Sequence, residues 1–553
     1  MPASSEIEAA ISAFQEGDLH LAERFCKSRL KSDPFDANAL DVLGLILHRK
    51  GDSEGALNNI RNAVCLDDQQ AQFHSHLGII LKQIGKLEEA KKAYLTAISI
   101  EPKSPEVIFN LAILCRQMGD LDEGLILSKK AVSLDPDSDV AHNNLGKAYQ
   151  EVGLFEDAIT AYRQAITLNQ EHIGAHSNLA TVLAEADRVD QALELCDKAI
   201  SKWPDNAELH NARSNAYARA RNWEEALVSA NQAIACKSNF AQAHYGKALI
   251  LMGLGSLEDG LKEFEWRTKR SNFWPQRQYE QPLWQGEPLA GKTLFVHWEQ
   301  GFGDIIQFSR FLPLLRHTLL EPPDWVIFDC PANLLQFFTF GFEVDELGDF
   351  GNSPPGFDYY VPLMSLPLRL GTTIETIPVQ VPYLTNMLDK YFQISHSNDD
   401  HLKVGIVWAS DHGTTYRRKV CSLEHLSTLF DLEGITFYGL QFGPDAEELN
   451  EYIDRGKVKN LAPHLGDFVH TAAIADQMDL IISIDTYIVH LAGAMCKPVW
   501  IMLPYAPDWR WFLDRLDSPW YPTARLFRQP RPGDWPSLVS ELQTALIQYL
   551  ADN

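Results

Sequence analysis

Basic residues are scarce in this chain of 553 residues: 48 Lys and Arg stand against 74 Asp and Glu, a formal charge of −26. The deficit holds in both halves, so neither carries the basic footprint that a phosphate backbone or an anionic membrane surface requires. Nucleic acid is therefore not an expected partner. Cysteine is equally sparse, at positions 26, 65, 115, 196, 236, 330, 421 and 496. No two form a C-x-x-C pair and no histidine cluster accompanies them at zinc spacing, which points to single thiols in a reducing compartment. No run approaches the roughly 20 apolar residues of a membrane span. The opening MPASSEIEAA has neither the basic nor the apolar region of a secretory signal, so the expected location is the cytoplasm. What remains is ordinary globular composition, 45% hydrophobic and 22% charged, long enough for three or four domains at roughly 150 residues each.

The first half is periodic. Small residues recur every 34 positions at Ala22, Ala56, Ala90, Gly124, Ala158, Ala192, Ala226 and Gly260. A second register holds Gly17, Gly51, Gly85, Gly119, Gly153 and Gly255, with Asp187 and Arg221 in the two remaining places. A third holds Ala63, Ala97, Ala131, Ala165, Ala199 and Ala233, and Pro34, Pro102, Pro136 and Pro204 close units. Glycine suits a turn with positive φ between two helices, alanine lets helices approach, and proline ends the second helix. The pattern resembles the tetratricopeptide repeat. It implies an all-α superhelix of about eight helix–turn–helix units over residues 1–274, with a concave surface suited to an extended peptide.

Asn110, Asn144 and Asn178 share one repeat position and form a ladder along one face. Amides so placed can grip a peptide backbone, or they can bond neighbouring helices. The ladder resembles that of eukaryotic O-GlcNAc transferases, which implies a bound acceptor peptide. It is interrupted elsewhere by Val42, His76, Ala212 and Gly246, confining a peptide track to the middle repeats.

From about residue 275 the period changes. Strands are expected at Thr293–Trp298, Trp325–Cys330, Asp358–Leu363, Lys403–Ala409, Thr436–Gln441, Leu480–Asp485 and Val499–Leu503. Helical stretches lie between them, including Asp304–Arg316 and Tyr487–Met495, and Ser395–His401 reads as a linker. Strands alternating with helices predict two facing parallel α/β domains, residues 275–397 and 398–553, with ligands at strand C-terminal ends.

Three segments sit at such ends. Gly301-Phe302-Gly303-Asp304 follows the first strand and opens a helix. Asp304 is either a first-turn acid favoured by the helix dipole or a base for an attacking hydroxyl, with His297 and Glu299 in reserve. Arg417-Arg418-Lys419 is either a solvated loop or a diphosphate clamp. Asp485 or Thr486 caps a helix whose first turn leads to His490. These groups converge on one phosphate-sized spot unless His490 is structural.

At these residues the chain resembles bacterial tetratricopeptide glycosyltransferases with a heptosyltransferase-like GT-B domain. The resemblance rests on GFGDIIQFSRFLPLL, YRRK, LIISIDTYIVHLAGAMCKPVWIMLP and PDWRWFLDRLDSPWYP. It extends remotely to O-GlcNAc transferase and includes flagellin glycosyltransferases of the same two-part layout. It implies a GT-B fold of two Rossmann-like domains, with the acceptor side first and the nucleotide-sugar side second. Asp304 falls on the suspected base; Gly301, Gly303, one of Arg417, Arg418 and Lys419, Gln441, Asp485, Thr486 and His490 fall on the donor side, and His490 is also a catalytic candidate. An Asp common in relatives before Thr471 is replaced within Phe468-Val469-His470.

The expected reaction is transfer of a sugar from a nucleotide-sugar co-substrate to Ser or Thr hydroxyls of a protein acceptor, flagellin being one candidate. No D-x-D pair occurs in this half, so a metal-free route without a cofactor is expected. The C-terminal helix, about Trp535–Leu550, is expected to cross back to the first sheet. The competing readings are a sugar transferase for glycan or lipid precursors, and a non-catalytic repeat scaffold carrying a degenerate domain. Sugar, nucleotide, acceptor, retention or inversion, and assembly into a homo-oligomer stay open.

Overall fold

The computed structural model describes residues 3–552 apart from 271–276, 278, 340–343, 352, 385–391, 395–400 and 411–419. The chain divides into two compact units, residues 1–186 and 187–553.

The first unit consists of helices of 13 or 14 residues, from Ala3–Gln15 to Ile173–Glu185, the first ten of them paired into hairpins. Side-chain caps start several of them: Asp18, Asp36 and Asp52 accept from the backbone N–H three residues on, at 2.8–2.9 Å. The turn glycines have φ between +78° and +91°. Ala22, Ala56, Ala90 and Ala158 are fully buried where helices meet. Gly124 breaks that alanine register because a Cβ there would stand 2.5 Å from Arg116 Cγ.

The second unit opens with Val189–Lys202 and continues through the hairpins Ala207–Arg219/Trp223–Cys236 and Ala241–Gly253/Leu257–Phe264. Asp187 and Arg221, which stand where the register expects glycine, take the same left-handed backbone at φ 57° and 61°. Arg221 has a use for its side chain: it donates to Leu513 O at 3.2 Å and to Asp514 at 2.9 Å, and lies over the Tyr505 ring.

Two all-parallel sheets follow. The first joins β1 (Thr293–His297), β2 (Trp325–Asp329), β3 (Glu346–Gly348) and β4 (Tyr359–Pro362) in the order β3-β2-β1-β4. The second joins β5 (Leu402–Val407), β6 (Ile435–Gly439), β7 (Val458–Asn460), β8 (Leu480–Ile484), β9 (Val499–Leu503) and β10 (Ala524–Arg528) in the order β10-β9-β8-β5-β6-β7. In both, the order reverses beside the first strand, between β1 and β4 and between β5 and β8. In doubly wound sheets ligands bind at such switch points, beyond the strand C-terminal ends. β8 is buried along its whole length, which explains its uninterrupted apolar run LIISI.

One apolar core runs from the last hairpin (Met252, Leu261, Phe264) through the first sheet to one face of the second. Arg310 joins the two sheets' surroundings, donating to Trp520 O at 2.6 Å and Pro378 O at 3.1 Å. A second core covers the other face of the six-stranded sheet, and it contains Trp535, Leu538, Leu542 and Leu546. The C-terminal helix, Trp535–Asp552, therefore packs on its own sheet rather than crossing to the first. The expected helix Asp304–Arg316 is broken into Phe302–Phe308, a tight turn at Ser309–Phe311 and Leu314–His317. Of the predicted linker only His401 is among the described residues.

Candidate functional site

The loops after β1 and β8 meet. Gly303, in the helix Phe302–Phe308, lies against the His490 ring of the helix Tyr487–Ala494: a Cβ on Gly303 would stand 2.8 Å from His490 Cδ2 and 3.5 Å from Tyr487 Cα. Only glycine allows that approach.

Asp304 performs its local role as a first-turn acid, its Oδ2 accepting the Gly301 N–H at 3.1 Å. Its Oδ1 pairs with Arg510 Nη2. The carboxylate is 19% exposed. Burial pushes its pKa above the ordinary value while Arg510 and the Gly301 N–H pull it down, and the neighbouring charges of Asp508 and Asp485 add to the upward push. Arg510 was not singled out from the sequence, although it lies in the quoted PDWRWFLDR. It is nearly buried and also donates to Gln307 Oε1 at 2.7 Å and Asp508 Oδ1 at 2.8 Å.

The donor-side residues are distributed less openly than expected. His490 is only 5% exposed, its Nδ1 within 3.0 Å of the Tyr521 hydroxyl and its ring stacked on Trp511. The imidazole is thus held between Tyr521 and Trp511. Thr486 occupies the cap position in extended backbone, partly exposed, with its hydroxyl 3.2 Å from Ser483 Oγ and no bond to the helix. Asp485 is buried beside it at the end of β8. Gln441 is buried: its Oε1 accepts the N–H groups of Trp408 (3.2 Å) and Ala409 (2.9 Å), and its Nε2 donates to Phe442 O. That amide prolongs the β5–β6 ladder instead of standing ready for a nucleotide. Arg417, Arg418 and Lys419 lie outside the described residues.

The reserve bases are both buried. Glu299 has no exposed surface and is held by Arg267 through Nε at 2.8 Å and Nη2 at 2.6 Å, so its carboxylate is structural. His297 is kept neutral by burial, its pKa lowered to about 3. Two fully buried donors in this neighbourhood, Gln307 Nε2 and Trp511 Nε1, have no protein partner.

Asn110, Asn144 and Asn178 all lie on helices of the first unit and are partly exposed. Asn144 Nδ2 donates to Val140 O at 2.8 Å, and Asn178 Nδ2 donates to Asn143 Oδ1 of the preceding repeat at 2.9 Å. Two of the three amides thus already bond within the array.

Models of the tetratricopeptide repeat, a class associated with protein binding, match residues 71–104, 105–138 and 143–207 within the array of helical hairpins. The chain is similar to Protein FlbA of Caulobacter vibrioides, 26% identical over 341 residues, covering 57% of this chain and 56% of that one. It thus spans little more than half the length of the curated relative it matches. Among solved structures, MamA gives a TM-score of 0.27 at 25% identity, covering 29% of this chain and 95% of its own. A tetratricopeptide repeat protein from Parabacteroides merdae gives 0.38 at 18% identity, covering 45% and 98%. No helix among the described residues is long and apolar enough to cross a membrane.

Proposed function

We propose that the chain is a cytoplasmic glycosyltransferase of GT-B type, moving a sugar from a nucleotide-sugar donor to Ser or Thr hydroxyls of a protein bound by the repeats. The observation that carries this reading is the contact of Gly303 with His490, which joins the loops at the switch points of two parallel sheets. In this reading the acceptor oxygen attacks the anomeric carbon as the bond to the diphosphate breaks. Asp304 takes the hydroxyl proton, and the electron pair leaves with the nucleoside diphosphate. Arg417, Arg418 or Lys419 and the helix start at Asp485 and Thr486 stabilise that anion, with no metal ion required. Asn110, Asn144 and Asn178 line the acceptor track. His490 shapes the wall through Tyr521 and Trp511.

A second reading, a repeat scaffold with an idle α/β region, is favoured by the buried His490 and the fully engaged Gln441. The two separate in one experiment. The full chain is incubated with a panel of nucleoside-diphosphate sugars, with and without a protein captured on the repeats, and released nucleoside diphosphate is measured. Transfer that needs the acceptor and disappears in Asp304→Asn and Thr486→Val supports the enzyme. No release from any donor refutes it. His490→Ala is a poor probe, because it empties a packed position.

A further inference from the structure

Arg510 stands at the centre of three acceptors. Its Nη2 meets Asp304 Oδ1, its Nε meets Gln307 Oε1 at 2.7 Å and its Nη1 meets Asp508 Oδ1 at 2.8 Å. A planar guanidinium held on three sides cannot swing without breaking several charge-assisted bonds. The segment that carries it is pinned too. Trp509 lies over Gly253 of the last hairpin, Arg221 bonds Leu513 O and Asp514, and Arg528 donates to Trp511 O at 2.6 Å. Asp304's other oxygen is taken by the Gly301 N–H. The two carboxylate oxygens therefore have different, fixed partners, and the plane of the group is set.

We propose that Arg510 is the positioning residue of Asp304, fixing the orientation and plane of its carboxylate through the Oδ1 contact. The consequence for turnover rests on the reading of Asp304 as the base; the positioning itself does not. The charged and titratable groups acting on Asp304 are Arg510 and Asp508 from the β9–β10 connection, Asp485 from the β8 loop and Tyr245 from the last hairpin, while His490 lies against the neighbouring Gly303. Burial already favours the protonated acid and Arg510 opposes it, so losing the guanidinium moves Asp304 further up.

Carbodiimide with glycinamide labels a carboxyl in its protonated form, and mass spectrometry of the full chain across a pH series gives a labelling midpoint for Asp304. Arg510→Gln raises that midpoint by roughly 1–3 pH units. Arg510→Lys returns it most of the way, since the charge is kept and the fork is lost. Asp508→Asn lowers it, because a neighbouring negative charge is removed. A midpoint unchanged in a folded Arg510→Gln overturns the proposal. Should that variant fail to fold, Asp508→Asn decides alone, and a midpoint that stays or rises overturns it. Where the wild-type chain releases nucleoside diphosphate from a sugar donor, the acidic limb of kcat in Arg510→Gln moves with the labelling midpoint while KM for that donor holds within about twofold. A midpoint that moves in a chain that turns over no donor leaves the positioning intact and removes the transferase reading.

Discussion

Replacing Glu299 by alanine tests the reasoning about buried charge most directly. Glu299 and Arg267 have no exposed surface; besides the two bonds between them, Glu299 accepts the Met364 N–H at 3.0 Å. Arg267 also reaches Ser365 Oγ at 2.7 Å and Glu265 Oε1 at 2.8 Å, and Glu265 in turn binds Arg369 at 2.7 Å. Alanine at 299 leaves a guanidinium with one carboxylate partner where it had two, and leaves the Met364 N–H unmatched. Breaking a buried pair from one side costs about 3–5 kcal/mol, and the surviving Glu265 contact argues for the lower end. Removing both charges in Arg267→Met with Glu299→Leu strands no ion, and the comparable exchange is neutral or stabilising. Calorimetry of the full chain reads the difference, at roughly 2–4 °C per kcal/mol for a unit of 150–250 residues and less for a larger one. The expected result is a fall of about 3–6 °C for Glu299→Ala, largely recovered in the double variant. A single variant melting within about 2 °C of wild type, or a double variant worse than either single, refutes the argument.

Gly303→Ala forces a methyl against a histidine held by Tyr521 and Trp511, so it destabilises by about 1–3 kcal/mol, readable as a lower melting temperature. Asp187→Gly relieves a left-handed backbone and stabilises by about 0.5–1 kcal/mol, whereas Arg221→Gly gains nothing, because it forfeits the bonds to Leu513 and Asp514; paired melts distinguish them. His297 has a folded pKa of about 3 against an ordinary 6.5, so the unfolded state binds more protons between those values. Its contribution to stability is present above pH 6.5 and drains away by about 1.4 kcal/mol per unit as pH falls toward 3. His297→Gln flattens that acid limb in urea titrations at pH 4–7.

Much of this architecture could be read from residue types alone. The 34-residue registers located every hairpin turn, including the two where Asp187 and Arg221 adopt a glycine-like φ. Five-residue apolar runs such as VWIML and LIISI marked strands to within a residue. β3 and β7 escaped because three residues leave no period to detect, and β10, reading ARLFR, carries two arginines that mask its apolar face. The site was legible as chain positions but not as side-chain directions. A residue at a strand end can face a ligand or its own backbone, and Gln441 faces its backbone. Asn178 similarly meets Asn143 through a lateral offset that no spacing rule contains. Arg510 stayed hidden because its partner Asp304 is more than 200 positions away, so only the folded chain brings the two charges together.

The Arg267–Glu299 lock also bears on how such a protein can be taken apart. The chain turns from helix to sheet near residue 275, yet Arg267, on the helical side, supplies the counter-charge for a carboxylate planted just after the first strand. A graft that exchanged the helical repeats at that visible seam would orphan Glu299 and strip the apolar wall provided by Met252, Leu261 and Phe264. A chimera with borrowed repeats must therefore keep the native hairpins that carry Arg221, Met252, Leu261 and Phe264, together with the turn that carries Arg267.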